Sequence, residues 1–272
     1  MNIRSGTLVD VTDLDPAALL AAYDSQLRVV VPEGTPVERD GPLFVLPGYG
    51  RGTSIKYVDL GGLTGAALEE LIARQRARAV ARGSDLWWKI RGHDRPADLG
   101  DRLAAAGFRP GRGETVMVGS AQARRDPVLP DGVRLREVHE GRDVERICAM
   151  EERVWGESRA FLAKDLRAEL ESAPEGITIV MAEAGGEVVS AGWQRYVRGA
   201  RFATLWGGST LPEWRVRGIY RALVAYRART AAARGYALLQ VNASEASRPI
   251  LEQLGFVAIT TTVPYVFRPT AD

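Results

Sequence analysis

One ordered series occurs twice in this chain, and it constrains the fold more than any other feature. An arginine- and alanine-rich helical segment, RARAVARG (76–83), leads into the strand LWWKI (86–90). A short helical segment, ADLGDRLAAAGF, follows and closes at Gly107-Phe108, and then comes the strand ETVMVG. The same order returns as RARTAAARG (227–235), ALLQV (237–241), SRPILEQLGF closing at Gly255-Phe256, and VAITTTVPYVF. Helix, strand, short helix with glycine at its C-terminal end, strand: a duplicated supersecondary unit explains such a series better than chance.

The second half is the more complete. VRLREV (133–138) opens it as a strand, and RDVERICAMEERVW and FLAKDLRAELESA follow as amphipathic helices. ITIVMAEAGGEVVSAGWQRYV reads as a β-hairpin turning at Gly185-Gly186, and FATLW (202–206) as a further strand. The mixture predicts an α/β layer fold with a mixed sheet. GSAQARRDPVLPDG (119–132) is polar, proline-bearing and aperiodic, which predicts a linker between a domain over 1–125 and another over 126–272.

Composition narrows the function classes. A formal net charge of +2 over 272 residues gives no support for nucleic-acid or membrane binding. No stretch approaches the roughly 20 apolar residues of a membrane span. The first residues carry Asp10, Asp13 and Asp15 and no apolar run like a signal peptide, and Cys148 is the one cysteine, so a cytoplasmic protein is expected.

The stretch LPEWRVRGIYRAL (211–223) joins the FATLW strand, through Gly207-Gly208 and Pro212, to a helix in which Ile219, Leu223 and Val224 recur at helical spacing. The first amides of a helix lack intrahelical partners and carry about half a positive charge, so a phosphate is their usual ligand. Gly218 leaves the main chain bare, and Arg215 and Arg217 add charge.

Residues 202–256 resemble the GNAT acyltransferase superfamily, whose acyl-CoA motif, Arg/Gln-x-x-Gly-x-Gly/Ala, aligns with Arg215-Val216-Arg217-Gly218-Ile219-Tyr220 after Pro212. The family's later strand and short helix ending Leu-Gly-Phe align with Leu238–Val241 and Arg248–Phe256. The resemblance implies two tandem domains, each a twisted, mostly antiparallel sheet flanked by helices. It also implies acetyl-CoA as co-substrate, with no metal. The amides of Val216, Arg217, Gly218, Ile219 and Tyr220 would hold the pyrophosphate, and Thr210 and Asn242 would flank the pantetheine arm. The first half has GGLTGAALEEL where the motif would stand, so it looks like a degenerate copy.

The pattern has three departures. Tyr220 replaces the motif's last glycine, Leu251 stands where the family often places a tyrosine acid, and Thr204, Trp206 and Ser209 supply no glutamate base on the strand. Glu151 and Ser247 are the candidate catalytic residues. Against these stand an exposed acidic pair Glu151-Glu152 and a serine that caps its helix. His139 reads as a surface residue, His93 and Asp94 as a base candidate or a turn held by Asp94 and Pro96, and GYGRG (48–52) as a hairpin turn. With no cysteine or serine in a nucleophile arrangement, transfer to an amine would be direct. The implied acceptor is a small-molecule or peptide amine, the protein a monomer or homodimer, and the alternative a CoA-binding regulatory module or pseudoenzyme.

Overall fold

The computed structural model describes residues 15–31, 34–48, 52–122 and 128–269. Helix α1 (Pro16–Gln26) starts where Asp15 accepts from the amides of Ala17 and Ala18, with proline at its first position. Strands β1 (Glu38–Asp40), β2 (Leu43–Pro47) and β3 (Thr53–Lys56) follow, then α2 (Gly65–Arg82), β4 (Leu86–Arg91), α3 (Leu99–Ala105), β5 (Arg109–Pro110) and β6 (Glu114–Ser120). The second half runs β7 (Val133–Glu137), α4 (Gly141–Trp155), α5 (Ala160–Ser172), β8 (Ile177–Ala184), β9 (Glu187–Tyr196) and β10 (Phe202–Thr210). It closes with α6 (Ile219–Ala233), β11 (Leu238–Ala243), α7 (Arg248–Gln253) and β12 (Val257–Phe267).

Both copies of the repeated series are present, as α2-β4-α3-β6 and α6-β11-α7-β12. The hairpin expected at Gly185-Gly186 joins β8 to β9, with both glycines at positive φ (57° and 85°), as a two-residue turn of this twist requires. GYGRG lies largely outside the described residues, and β2 and β3 on either side of it pair antiparallel. The expected linker begins too early, because Gly119 and Ser120 are still paired to β11. Helix α1 and strand β1 were not anticipated.

The two halves share one sheet, in the order β1-β2-β3-β4-β12-β6-β11-β10-β9-β8-β7, with β5 on the side of β12. Among the described strands, only β3–β4 and β10–β11 pair in parallel. The closing strands are exchanged: β12, from the end of the second half, pairs with β4, while β6, from the end of the first, pairs with β11. They meet each other at the centre, Val257 opposite Val118 and Thr262 opposite Glu114.

Each half buries its own core. Leu68, Leu71 and Ile72 of α2 pack with Trp88 and Phe108, and Trp88 is wholly buried. In the second half α4 and α5 cover one face through Val144, Ile147 and Leu166 against Ile179 and Trp193. Helices α6 and α7 cover the other through Val224, Ala228 and Leu251 against Leu205 and Val241. Helix α1 lies across the middle, where Leu19 joins Val118, Phe202 and Leu238. Buried aliphatic and aromatic side chains of this kind contribute about 1.5–3 kcal/mol each.

Candidate active site

The parallel pairing of β10 with β11 begins at Phe202 opposite Leu238 and ends at Leu205 opposite Val241. Beyond that level the strands part, leaving Gly207 to Thr210 on one side and Asn242-Ala243 on the other. Strand β10 also bulges between Trp206 and Ser209 against β9. Two residues there oppose Gly192 alone, so Trp206 and Ser209 both turn toward the α4–α5 face. The strand begun by FATLW passes through the two glycines and continues to Thr210, where it meets Leu211-Pro212. Gly207 holds φ at 61°, and a Cβ there would enter the Trp193 ring. A Cβ on Gly208 would meet the Tyr220 ring at 2.7 Å.

A buried cation fixes this bulge. Arg227 of α6 donates to the carbonyls of Trp193 and Trp206, each at 3.2 Å, and to Leu223 O at 3.1 Å. Burial without a carboxylate beside it pulls its pKa down to about 10. Gly192 makes room, since a Cβ there would lie 2.9 Å from Nη1.

Where β10 ends, Pro212–Trp214 forms a single 3-10 turn and the chain enters α6 through two left-handed residues. Val216 has φ 61° and is fully exposed, and Gly218 has φ 82°. A β-branched residue in that region is strained, a cost found mostly at ligand-holding turns. Alternating handedness turns successive amides to one side, the geometry of an anion nest. Ala222 is the first amide of α6 to find a partner, on Gly218 O. Arg215 turns back to donate to Thr210 O at 3.1 Å, and the Arg217 guanidinium lies 4.8 Å from the Trp214 ring centre. Among the described residues a Cβ at Gly218 would touch little, Val128 O at 3.9 Å being nearest, so the nest is open on that side. These residues fit a pyrophosphate.

The remaining candidates separate cleanly. Glu151 is 3% exposed, which overturns the exposed-pair reading, whereas its neighbour Glu152 points outward and caps the amide of Arg159 at 2.7 Å. Burial raises the Glu151 pKa, against the neighbouring Ser209 hydroxyl, the charge of Arg159 and the Trp155 ring N–H. Its Oε1 is buried without a hydrogen-bond partner. Trp155 Nε1 donates to Ser209 Oγ at 3.1 Å, so the carboxylate sits beside the bulge. Ser247 does not cap α7, which overturns the capping reading. Its hydroxyl meets Ser244 Oγ at 3.1 Å. Thr210 is buried and shares its hydroxyl with Ser190 at 2.7 Å, and Asn242 accepts from Gln240 at 2.8 Å.

Tyr220, whose amide the sequence assigns to the nest, turns its side chain onto the neighbouring strand. Its ring lies against Gly208 of β10, and Ser247 at the start of α7 is near enough to act on its pKa. Burial raises that pKa, while the Arg227 charge and the Ser247 hydroxyl lower it. Cys148 is buried, with its thiol pushed up to about 11, so it offers no thiolate nucleophile.

The equivalent opening in the first half, beyond Ile55 opposite Trp88, is filled. Tyr57, wholly buried, donates to Asp94 Oδ2 at 2.6 Å, and buried Arg28 donates to Asp94 Oδ1 at 2.7 Å and Tyr57 O at 3.2 Å. Asp94 also accepts from the Arg91 amide, so it anchors this plug and not merely a turn with Pro96. His93 sits between Thr260 Oγ1 at 2.8 Å and Asp24 at 3.1 Å. His139 is exposed, as expected.

Residues 144–256 match the model of the acetyltransferase (GNAT) family. That match spans 113 of the 272 residues, all in the second half, and makes this segment similar to the GNAT acetyltransferases. GNAT acetyltransferases use acetyl-CoA. Solved structures agree in fold across both halves. A GCN5-related N-acetyltransferase from Kribbella flavida superposes with a TM-score of 0.69 at 16% identity, covering 94% of this chain and 96% of its own. One from Sphaerobacter thermophilus gives 0.63 at 17% identity, covering 85% and 78%. A tandem GNAT protein from the clavulanic acid biosynthesis pathway gives 0.57 at 17% identity, covering 89% and 86%. No curated protein matches the sequence. Among the described residues no helix is long and apolar enough to cross a membrane.

Proposed function

We propose that the C-terminal half of this protein binds acetyl-CoA between β10 and β11 and transfers the acetyl group directly to an amine. The observation that carries this reading is the coincidence of an open amide nest at Val216–Tyr220 with a strand opening beside a buried carboxylate. The pyrophosphate takes the amides of Val216 to Tyr220, with Arg217 at the rim. The pantetheine arm runs between Thr210 and Asn242, and the thioester lies at the bulge.

A free amine with pKa near 10.4 is neutral in only about one molecule in 2,500 at pH 7, a deficit of roughly 4.6 kcal/mol. Glu151 is the base that takes the proton, and burial raises its proton affinity for that work. The nitrogen attacks the acetyl carbon, the carbon–sulfur bond breaks, and backbone amides of the bulge stabilise the developing oxyanion. Tyr220, with Ser247 beside it, returns a proton to the thiolate. It replaces the acid that Leu251 cannot supply. The first half is a companion domain whose own opening is plugged by Arg28, Tyr57 and Asp94, which makes it a degenerate copy. The boundary near 125 is one of chain order only, since the closing strands cross it.

Calorimetric titration with acetyl-CoA tests the cofactor site on two variants of equal bulk. Gly218→Gln and Gly218→Glu carry the same strain at positive φ, but only glutamate puts negative charge in the nest. Glutamate is expected to weaken binding about tenfold or more beyond glutamine. Equal affinities in folded variants would contradict the assignment.

A further inference from the structure

Two arginines lie against tryptophans on the α4–α5 face beside β10, and they differ in what they hold. Arg195 sits 5.3 Å from the Trp206 ring centre and is neutralised by Glu169 through two bonds, at 2.7 and 2.8 Å. Arg159 sits 5.7 Å from the Trp155 ring centre, and among the described residues its guanidinium has no ion pair. Its Nε is buried with no hydrogen-bond partner, though its backbone amide is satisfied by Glu152. An unpaired guanidinium with a buried donor is costly, because the donor has lost water and gained no acceptor. Arg159 is also close enough to Glu151 for its charge to lower that carboxyl's pKa.

We infer that Arg159 reads an anionic group of the acceptor, so that the substrate is an amine bearing a carboxylate, in the manner of an amino acid. This rests on the acetyltransferase reading of the same site. The acceptor's amine meets Glu151 while its carboxylate takes the free face of the guanidinium, whose fork matches two carboxylate oxygens. Opposite charges on protein and acceptor then pair twice and fix the nitrogen toward the bulge. Trp155 and Phe161, both substantially exposed beside the same α4–α5 connection, offer apolar surface to the rest of the molecule. A binding role predicts an effect on KM, and a general effect on the fold predicts one on every acceptor alike.

The test compares amino acids with the amines left when their carboxylate is removed, phenylalanine with phenethylamine first. Release of free CoA is followed in the parent chain, Arg159→Gln and Arg159→Lys. The parent is expected to favour the carboxylate-bearing member of each pair. Arg159→Gln should raise its KM about 10- to 100-fold while leaving the KM of the decarboxylated amine unaffected. Any change in kcat through Glu151 should fall equally on both members, and lysine, which keeps the charge, should partly rescue. Thermal melting and acetyl-CoA titration should be unaltered in both variants. Preference for the decarboxylated amine, or an equal rise in KM for both members, would overturn the inference while leaving the acetyltransferase reading intact. Undiminished acetyl-CoA binding with no amino acid acetylated would overturn it as well. Loss of acetyl-CoA binding in the parent would instead strike at the underlying reading.

Discussion

At the scale of the residue, Glu151 meets two opposed demands. It must be ionised to accept a proton, yet it lies in a place where ionisation is penalised by lost hydration. The raised folded-state pKa gives the sign. Below the ordinary glutamate range both states hold the proton and the residue costs nothing. As pH rises the unfolded chain ionises first, and stability is lost until pH passes the folded value. Glu151→Gln should therefore raise the melting temperature by about 2–5 °C at neutral pH, with the gain vanishing as pH falls toward about 4. The same variant should lower kcat about 10²–10⁴-fold. Melting curves and initial rates across pH check both, and a destabilised variant of full activity would refute the role. The sequence did hold a signal for Glu151: Val144, Ile147, Cys148 and Glu151 follow the i, i+3, i+4, i+7 stripe of α4's buried face. Weighing Glu151 and Glu152 as a pair hid it, since adjacent helical residues point about 100° apart. Tyr220 likewise shares a stripe with Val224, Arg227 and Ala231, three residues buried in α6. The Arg159 environment had no such signal, because the guanidinium's isolation depends on where Glu152 and Glu169 turn.

At the scale of the element, the bulge in β10 organises the chemistry. Gly207 and Gly208 are required by packing from opposite faces, one by Trp193 and the other by Tyr220. Arg227 ties the carbonyls of the paired Trp193 and Trp206, where the irregularity begins. Gly208→Ala should push the Tyr220 ring off the strand and away from Ser247. Turnover is then expected to fall about 10-fold or more while acetyl-CoA affinity, set by amides upstream of the ring, stays within about threefold. Steady-state rates with a calorimetric titration distinguish the two effects. Unchanged turnover would remove Tyr220 from the proton path. The glycine pair was visible in the sequence, but the bulge it makes was not, because a bulge and a stop use the same residue. The strand-to-helix junction was fully legible, since proline, glycine and helical spacing each mark it locally.

At the scale of the whole molecule, the exchange of β6 and β12 makes one sheet of two repeated halves. The repeated series was readable because each copy is contiguous in sequence. Its closing strands were not assignable, because either would satisfy the edge of β4 or β11 with the same antiparallel, β-branched chemistry. The consequence is a molecule with two related openings, one framed by the Val216–Tyr220 nest and one plugged by Arg28, Tyr57 and Asp94. Filling the second costs nothing further, since its polar groups already satisfy each other. Titrating acetyl-CoA into the full chain by calorimetry counts the sites and tests the central claim most directly. The account predicts one acetyl-CoA bound per chain, and binding at two sites per chain, or at none, would contradict it.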